Sequence, residues 1–382
     1  MRAAVLVNAG QIELQDVPRA EPRQHEVLVR VKAVGLCGTD WHIASGEANY
    51  NCDASGRPLA LAEHPQILGH EIAGVVEEAG DAGTSRPILA VGDRVAIDQG
   101  RTCVSEHRAL CEYCVTGDSH QCEFYREHGI TGLPGGFAEY VTVPAVNAVR
   151  IADSTPFEQA ALVEPLGCIV HSMCMVERAR TRYRLRVAGD ERPVRTVLVC
   201  GGGPAGQLFT QYLRNVVHFE GLVLLSDPNP LKRSLAERWG ATAIDPFAVD
   251  LVARVRELTD GRGVELLIEA SGAGGIFHAI PGLIRKQATV LIYGHGHAGV
   301  DLSVMNQVQF REPTLVTPAG ASGGHDALGR PTTYQQALDC IEAGVIDVGT
   351  LITHRYTSLG DVPRALAGDH RQPGYVKGVV LL

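Results

Sequence analysis

Residues 196–206 read TVLVCGGGPAG. An apolar run of strand type ends in consecutive glycines, and the segment after it, QLFTQYLRNV, has helical periodicity. Gly201, Gly203 and Gly206 fit the pattern G-x-G-x-x-G. The first allows a tight turn, the second lets backbone approach a pyrophosphate, and the third packs the helix closely on the strand. Pro204 and Ala205 open the helix, whose free N–H groups and positive dipole end suit phosphates. The later runs LVLLSD, LLIEAS and TVLIYG alternate with helical stretches up to Tyr293. They are continuously apolar, as strands of a parallel sheet buried on both faces must be. The expectation is a doubly wound α/β domain of the Rossmann dinucleotide-binding type over residues 156–299. Asp227 closes the second run, where a carboxylate bonds ribose hydroxyls and repels a 2′-phosphate, so NAD is expected over NADP. Lys232 and Arg233 lie nearby and could aid a phosphate.

Residues 1–155 have another texture. Short runs such as VLVRVKAVG, IAGVVEEAG, DRVAI and AEYVTVP are broken by turn residues and suggest an irregular β-rich domain. Residues 334–343 read as an amphipathic helix and GYVKGVVLL as a closing strand, so residues 300–382 are expected to complete that domain. Two domains suit a chain of 382 residues. The net charge of −9 disfavours nucleic acid. The N-terminus enters an alternating strand pattern instead of a secretory signal, and no apolar run is read as reaching the ~20 residues of a membrane span. A cytoplasmic protein is expected, and its ten cysteines then call for a metal reading before a disulfide one. The arginine-rich stretch 177–195 reads as a solvated helix end or loop, with a subunit contact or anion site as the alternative.

Two groups of residues could hold metal. Cys37 lies in GLCGTDWH, His70 and Glu71 in GHE, and Glu164 in VEP. A thiolate, an imidazole and a carboxylate suit a zinc ion that keeps its fourth position open. Singly, each is more often a packing or hydrogen-bonded residue. Cys103, Cys111, Cys114 and Cys122 form the second group, and the C-x2-C spacing of Cys111 and Cys114 suits a closed structural zinc site. His107 competes for a ligand place, and an empty, degenerate site is the other alternative.

Taken in order, GLCGTDWH, ILGHEIAGVV, VGDRVAI, GGFAEYVTVP, the Glu-Pro pair, GGGPAG and IDVGTLITHRY resemble the zinc-dependent medium-chain dehydrogenase/reductase (alcohol dehydrogenase) family over nearly the whole chain. The branch is that of sorbitol, threonine and glucose dehydrogenases. The resemblance implies a GroES-like catalytic domain joined to the Rossmann domain, and a homodimer or homotetramer. It implies that Cys37 and His70 bind a catalytic zinc, with Glu71 or Glu164 in the third place. It implies that Thr39 bonds a substrate hydroxyl and that His42 relays the proton. Hydride then passes between a secondary alcohol and the nicotinamide. The family's cysteine lobe reads C-x2-C-x2-C-x7-C. The last three cysteines here match it, while VSEHRAL separates Cys103 from Cys111 as an insertion. The carboxylates and the stretch EHGITG resemble the polyol and sugar branch, and the resemblance implies a polyol, sugar or cyclitol substrate. In the long segment 47–66, Asn49, Tyr50, Asn51, Arg57 and Glu63 could bond hydroxyls or simply face solvent. Two rival readings stand beside this one. A zinc-free quinone or enone reductase would lack Cys37 with His70 and the cysteine lobe. A non-catalytic dinucleotide-binding protein would bind NAD without turnover.

Overall fold

The computed structural model describes residues 1–80 and 89–382. The chain divides into two compact units: Met1–Gly167 with Gly320–Gly344 and Val348–Leu382, and Cys168–Ala319 with Val345–Asp347. Residues 156–167 thus fall in the first unit and 300–319 in the second, displaced from the expected limits. The displacement at 300–319 has a clear cause, because Thr314–Val316 pairs in parallel with Ile284–Ile292 and extends the second unit's sheet.

In the first unit, the strand Glu26–Gly35 is the centre of a seven-stranded sheet among the described residues. Its Val-rich sequence is buried at nearly every position. It pairs antiparallel with Glu71–Ala79, Tyr140–Pro144 and Lys377–Leu381. The register sets Gly35 opposite both Glu71 and Val379. Three paired strands therefore carry Cys37, the His70-Glu71 pair and Lys377 to one end of the sheet. Val29, Val34, Leu36, Ile72, Phe137 and Val380 are among the side chains that close the core behind them. Each such side chain contributes roughly 1.5–3 kcal/mol relative to an exposed one.

The second unit holds a six-stranded parallel sheet. The strand order is Thr242–Ile244, Leu222–Ser226, Thr196–Cys200, Val264–Glu269, Ile284–Ile292, Thr314–Val316. The order reverses at Thr196–Cys200, which is the topological switch point of a doubly wound fold. Leu198, Leu224, Leu267 and Val290 are buried to 0% exposure in its core. The continuous apolar runs of the sequence are these central strands.

The helical stretch Phe157–Arg178 corrects one expectation. It is long and apolar enough, by length and composition, to cross a membrane. Within its most apolar window, 83% is buried inside the protein, which is the pattern of a core helix. Beyond Arg178 the arginine-rich stretch forms a small parallel pair, Tyr183–Arg184 with Arg192–Pro193. Arg184 donates to the carbonyl of Ala179 at 2.7 Å, and Arg186 pairs with Glu177 at 3.7 Å.

Candidate functional site

Cys37 follows the central strand and caps the helix Gly38–Ser45. Its backbone N–H donates to Asp40 Oδ2 at 2.9 Å. Asp40 is fully buried, and its Oδ1 accepts from the Gly69 N–H at 3.1 Å. The same carboxylate thereby fixes the turn that presents His70. Gly69 adopts φ +88°, and a Cβ there would meet Val34 Cγ1 at 2.9 Å, so the turn needs glycine. His70 Nδ1 lies 3.4 Å from Asp40 Oδ1, an ion-pair distance without the alignment of a hydrogen bond. Burial would lower the pKa of His70, but the charges of Asp40 and Cys37 outweigh it and hold the imidazole well above its ordinary value.

Glu71 is fully buried beside them. Its Oε1 accepts from Lys377 Nζ at 2.5 Å, and that ammonium also donates to the Leu36 carbonyl at 2.9 Å. Among the described residues, Glu71 Oε2 has no hydrogen-bond partner. Gly35 makes room for it, since a Cβ there would fall 1.8 Å from that oxygen. One ligand atom from each of Cys37, His70 and Glu71 lies within 4.8 Å of the others. A half-buried thiol, an imidazole and a buried carboxylate oxygen converging in this way fit a divalent metal.

The structure separates the other candidates from this trio. Glu164 is buried, and its Oε1 accepts from Gln99 Nε2 at 3.1 Å. It is not one of the three converging donors. Thr39 Oγ1 stands 3.8 Å from Cys37 Sγ. His42 Nδ1 is 2.7 Å from the exposed Glu47 carboxylate. Among the described residues, no hydrogen bond joins Thr39 to His42, so a relay between them requires water. In the segment 47–66, Asn49 Nδ2 donates to the Leu59 carbonyl at 2.7 Å and Asn49 Oδ1 accepts from the Asn51 N–H at 3.1 Å. That side chain therefore shapes the loop itself. Tyr50 and Arg57 are exposed.

In the second unit, the glycine-rich turn is built for a close backbone approach. Gly201 has φ +97°, and a Cβ on Gly206 would strike the Gly201 carbonyl at 1.9 Å. A Cβ on Gly203 would meet nothing within 4 Å, so this face of the turn is open. Gly203 caps the helix Pro204–Asn215, with Pro204 in its first turn beside Ala205 and no acid there. The arrangement fits a pyrophosphate. Asp227 Oδ2 accepts from the Gly202 N–H and Oδ1 from the Asn229 N–H, both at 2.7 Å. A carboxylate keeps further lone pairs for ribose hydroxyls. Arg233 Nη1 meets the carbonyls of Asp227 and Pro228, at 2.9 and 2.7 Å, and Asp245 at 3.0 Å. The backbone carbonyl of Lys232 accepts from Gln207 Nε2 at 2.8 Å.

The four lobe cysteines Cys103, Cys111, Cys114 and Cys122 also converge, with ligand atoms within 4.8 Å of one another. Cys103 and Cys122 sulfurs are 3.5 Å apart, and both thiols are free. Sulfurs around one tetrahedral zinc stand about 3.8 Å apart, given Zn–S bonds of about 2.3 Å. Backbone N–H groups of Cys114 and Glu123 hold the Cys111 thiol down at about 6, while burial pushes Cys103 and Cys114 up. The insertion folds back on itself: Arg108 N–H donates to the Cys103 carbonyl at 2.9 Å. His107 is exposed, with its ring 4.2 Å from that of His25, so it lies outside the cysteine group.

Residues 23–153 match the alcohol dehydrogenase GroES-like domain, and residues 204–343 match the zinc-binding dehydrogenase family. L-threonine 3-dehydrogenase of Pyrococcus abyssi is 31% identical over 347 residues, covering 90% of this chain and 88% of that protein. The chain belongs to the zinc-dependent medium-chain dehydrogenase family. It is an oxidoreductase. Sorbitol dehydrogenase of Bacillus subtilis is 28% identical over 363 residues, covering 94% of this chain and 90% of that protein. A Sinorhizobium meliloti 1021 protein solved with NADP bound superposes with a TM-score of 0.78 at 29% identity, over 100% of this chain and 99% of that one. Membership explains the GroES-like and Rossmann units.

Three residues of this dehydrogenase escaped the sequence reading. Asp40 and Lys377 support the converging donors, and Glu269 ends a buried strand in the second unit. Glu269 accepts from the N–H groups of Ser271 and Gly272 at 2.8 and 3.1 Å, and its Oε2 is 2.6 Å from His297 Nε2. It ties together two loops at the carboxyl ends of the parallel strands, the side on which such folds bind ligands. The available signal was a charge inside an apolar run, LLIEAS or YVKGVVLL. A buried charge requires a partner.

Proposed function

We propose that this dehydrogenase interconverts a secondary alcohol of a polyol, sugar or cyclitol and the corresponding carbonyl, with NAD as the hydride carrier. The observation that carries the reading is the convergence of Cys37, His70 and Glu71 within 4.8 Å. In this reading the three hold a catalytic zinc, and Cys103, Cys111, Cys114 and Cys122 hold a structural one. Bound zinc supplies Lewis acidity toward the substrate oxygen, and bound NAD supplies the hydride acceptor. The chain's own residues do the rest. Asp40 orients His70 from behind and leaves its Nε2 as the ligand atom. Lys377 holds one Glu71 oxygen and leaves the other to the metal. Thr39 Oγ1, beside the Cys37 sulfur, accepts the proton of the substrate hydroxyl. The proton leaves for solvent through water and the His42–Glu47 pair. Asp227 selects a free 2′-hydroxyl, and its carboxylate repels a 2′-phosphate. The Sinorhizobium relative carries NADP, so the NAD preference rests on Asp227 alone. A reducing cytoplasm suits the free lobe thiols, and resemblance alone supplies a homodimer or homotetramer.

The test is a panel of polyols, sugars, cyclitols and short alcohols, assayed with NAD and with NADP on zinc-loaded protein. Turnover of a polyhydroxy substrate with NAD is expected. Turnover confined to short alcohols, or none in folded, loaded protein, contradicts the reading.

A further inference from the structure

Glu269 is the last residue of the strand Val264–Glu269 and is 0% exposed. A carboxylate so deeply buried needs partners for both oxygens. Its two oxygens serve different loops. Oε1 accepts from the N–H groups of Ser271 and Gly272, at 2.8 and 3.1 Å, and from the Ser271 hydroxyl, so it shapes the turn that follows its own strand. Oε2 meets His297 Nε2 at 2.6 Å, on the loop beyond the strand Ile284–Ile292. An ionised carboxylate only accepts, so Nε2 carries the hydrogen of this bond. The His297 ring is 19% exposed and stands edge-on to Phe277 at 4.9 Å. The bond therefore joins a half-buried ring to a fully buried charge.

These loops press on each other and on the glycine-rich turn. Gly272 has φ +68°, and a Cβ on it would strike the His295 carbonyl. A Cβ on Gly294 would meet Glu269 Oε2 and the Gly272 nitrogen, both at 2.5 Å. A Cβ on Gly201 would fall 2.8 Å from Ser271 Cα and from its nitrogen, and the Ala270 N–H donates to the Cys200 carbonyl at 2.9 Å. His297, Glu269, Ser271 and Gly201 thus form one continuous stack within the second unit. The strand order gives the stack its direction. Thr196–Cys200 has Leu222–Ser226 on one side and Val264–Glu269 on the other. Asp227 follows the first neighbour, and Glu269 ends the second. A dinucleotide lies across such a switch point, one mononucleotide half to each side. With the adenosine half at Asp227, the other half runs over the loops that Glu269 holds.

We propose that Glu269, held by His297, is a positioning residue for the nicotinamide half of the dinucleotide: it fixes the backbone of residues 270–272 against Gly201, and without the His297 bond that wall loosens and affinity falls. The inference rests on the dinucleotide reading above and assigns no contact between either side chain and the cofactor.

The test is calorimetric titration of the full-length protein with NAD and, separately, with AMP, which carries only the half that belongs at Asp227. His297→Leu removes the donor and leaves the buried charge one partner short. It is expected to raise the Kd for NAD about tenfold or more, the usual weight of a hydrogen bond to a charged group, and to leave the Kd for AMP unchanged. His297→Gln can set an amide N–H where Nε2 stands, and is expected to recover most of the lost NAD affinity. An unchanged Kd for NAD in His297→Leu overturns the proposal. Equal weakening of NAD and AMP also overturns it, since the substitution would then damage the unit as a whole. So does a glutamine variant as weak as the leucine one, because the ring's packing on Phe277 would then matter and not the bond to Glu269. If the wild type binds neither NAD nor NADP, the dinucleotide reading itself falls, and this inference with it.

Discussion

Cys37→Ala removes the thiolate and leaves His70 and Glu71 as two donors, too few for a catalytic zinc. Turnover is expected to vanish while NAD binding, measured by fluorescence titration, keeps its wild-type Kd. An active, metal-free variant would sink the mechanism. Asp227→Ala is expected to relax the NAD over NADP preference in kcat/KM by about tenfold or more, a change of at least ~1.4 kcal/mol. An unchanged ratio would remove Asp227 from the argument. Lys377→Met would strand the buried Glu71 charge, and breaking such a pair costs about 3–5 kcal/mol. Denaturant unfolding of zinc-free protein should show that loss. Cys37, His70 and the glycines were legible because their chemistry is tied to short local patterns. Asp40 signals itself only by its place three residues after Cys37. Lys377 shows only as a charge inside an apolar run, and its role stays hidden because its partner, Glu71, lies far away in sequence.

At the scale of elements, the apolar runs at Thr196–Cys200, Leu222–Ser226 and Val264–Glu269 were readable because both faces of a central parallel strand are buried. The cysteine lobe was readable by its spacing, but the path of its insertion was not, since it depends on Arg108 returning to Cys103. Cys111→Ser should lose about one zinc per chain and lower the melting temperature, because a closed site contributes folding energy directly. The loop 127–135 carries a pH signature of its own. His128 Nδ1 lies 2.9 Å from the Pro134 carbonyl, and its buried Nε2 has no partner among the described residues. Burial drives its pKa down to about 4. The unfolded chain, with an ordinary histidine value near 6.5, binds the proton more readily. Stability from this group is therefore present above about 6.5 and is lost as pH falls toward about 4, by roughly 3 kcal/mol at most. His128→Asn can keep the bond to Pro134 without the titration. Its unfolding free energy should fall less than the wild type's between these limits. Parallel pH profiles would contradict the assignment.

For the whole molecule, composition and pattern announced two domains and an α/β architecture, yet not where the units divide. The helix Val163–Arg178 begins in one unit and ends in the other, a division that no break in periodicity marks. Its apolar character also follows from core burial, which hydropathy alone does not distinguish from a membrane span. The central claim is that the chain holds one zinc at Cys37, His70 and Glu71 and another in the cysteine lobe. Metal content per chain, by mass spectrometry on folded protein purified without added metal, tests it most directly. The account predicts about two zinc ions in the wild type and about one in Cys37→Ala. A wild type that binds none even after zinc add-back, or a Cys37→Ala variant that keeps both ions, would contradict it.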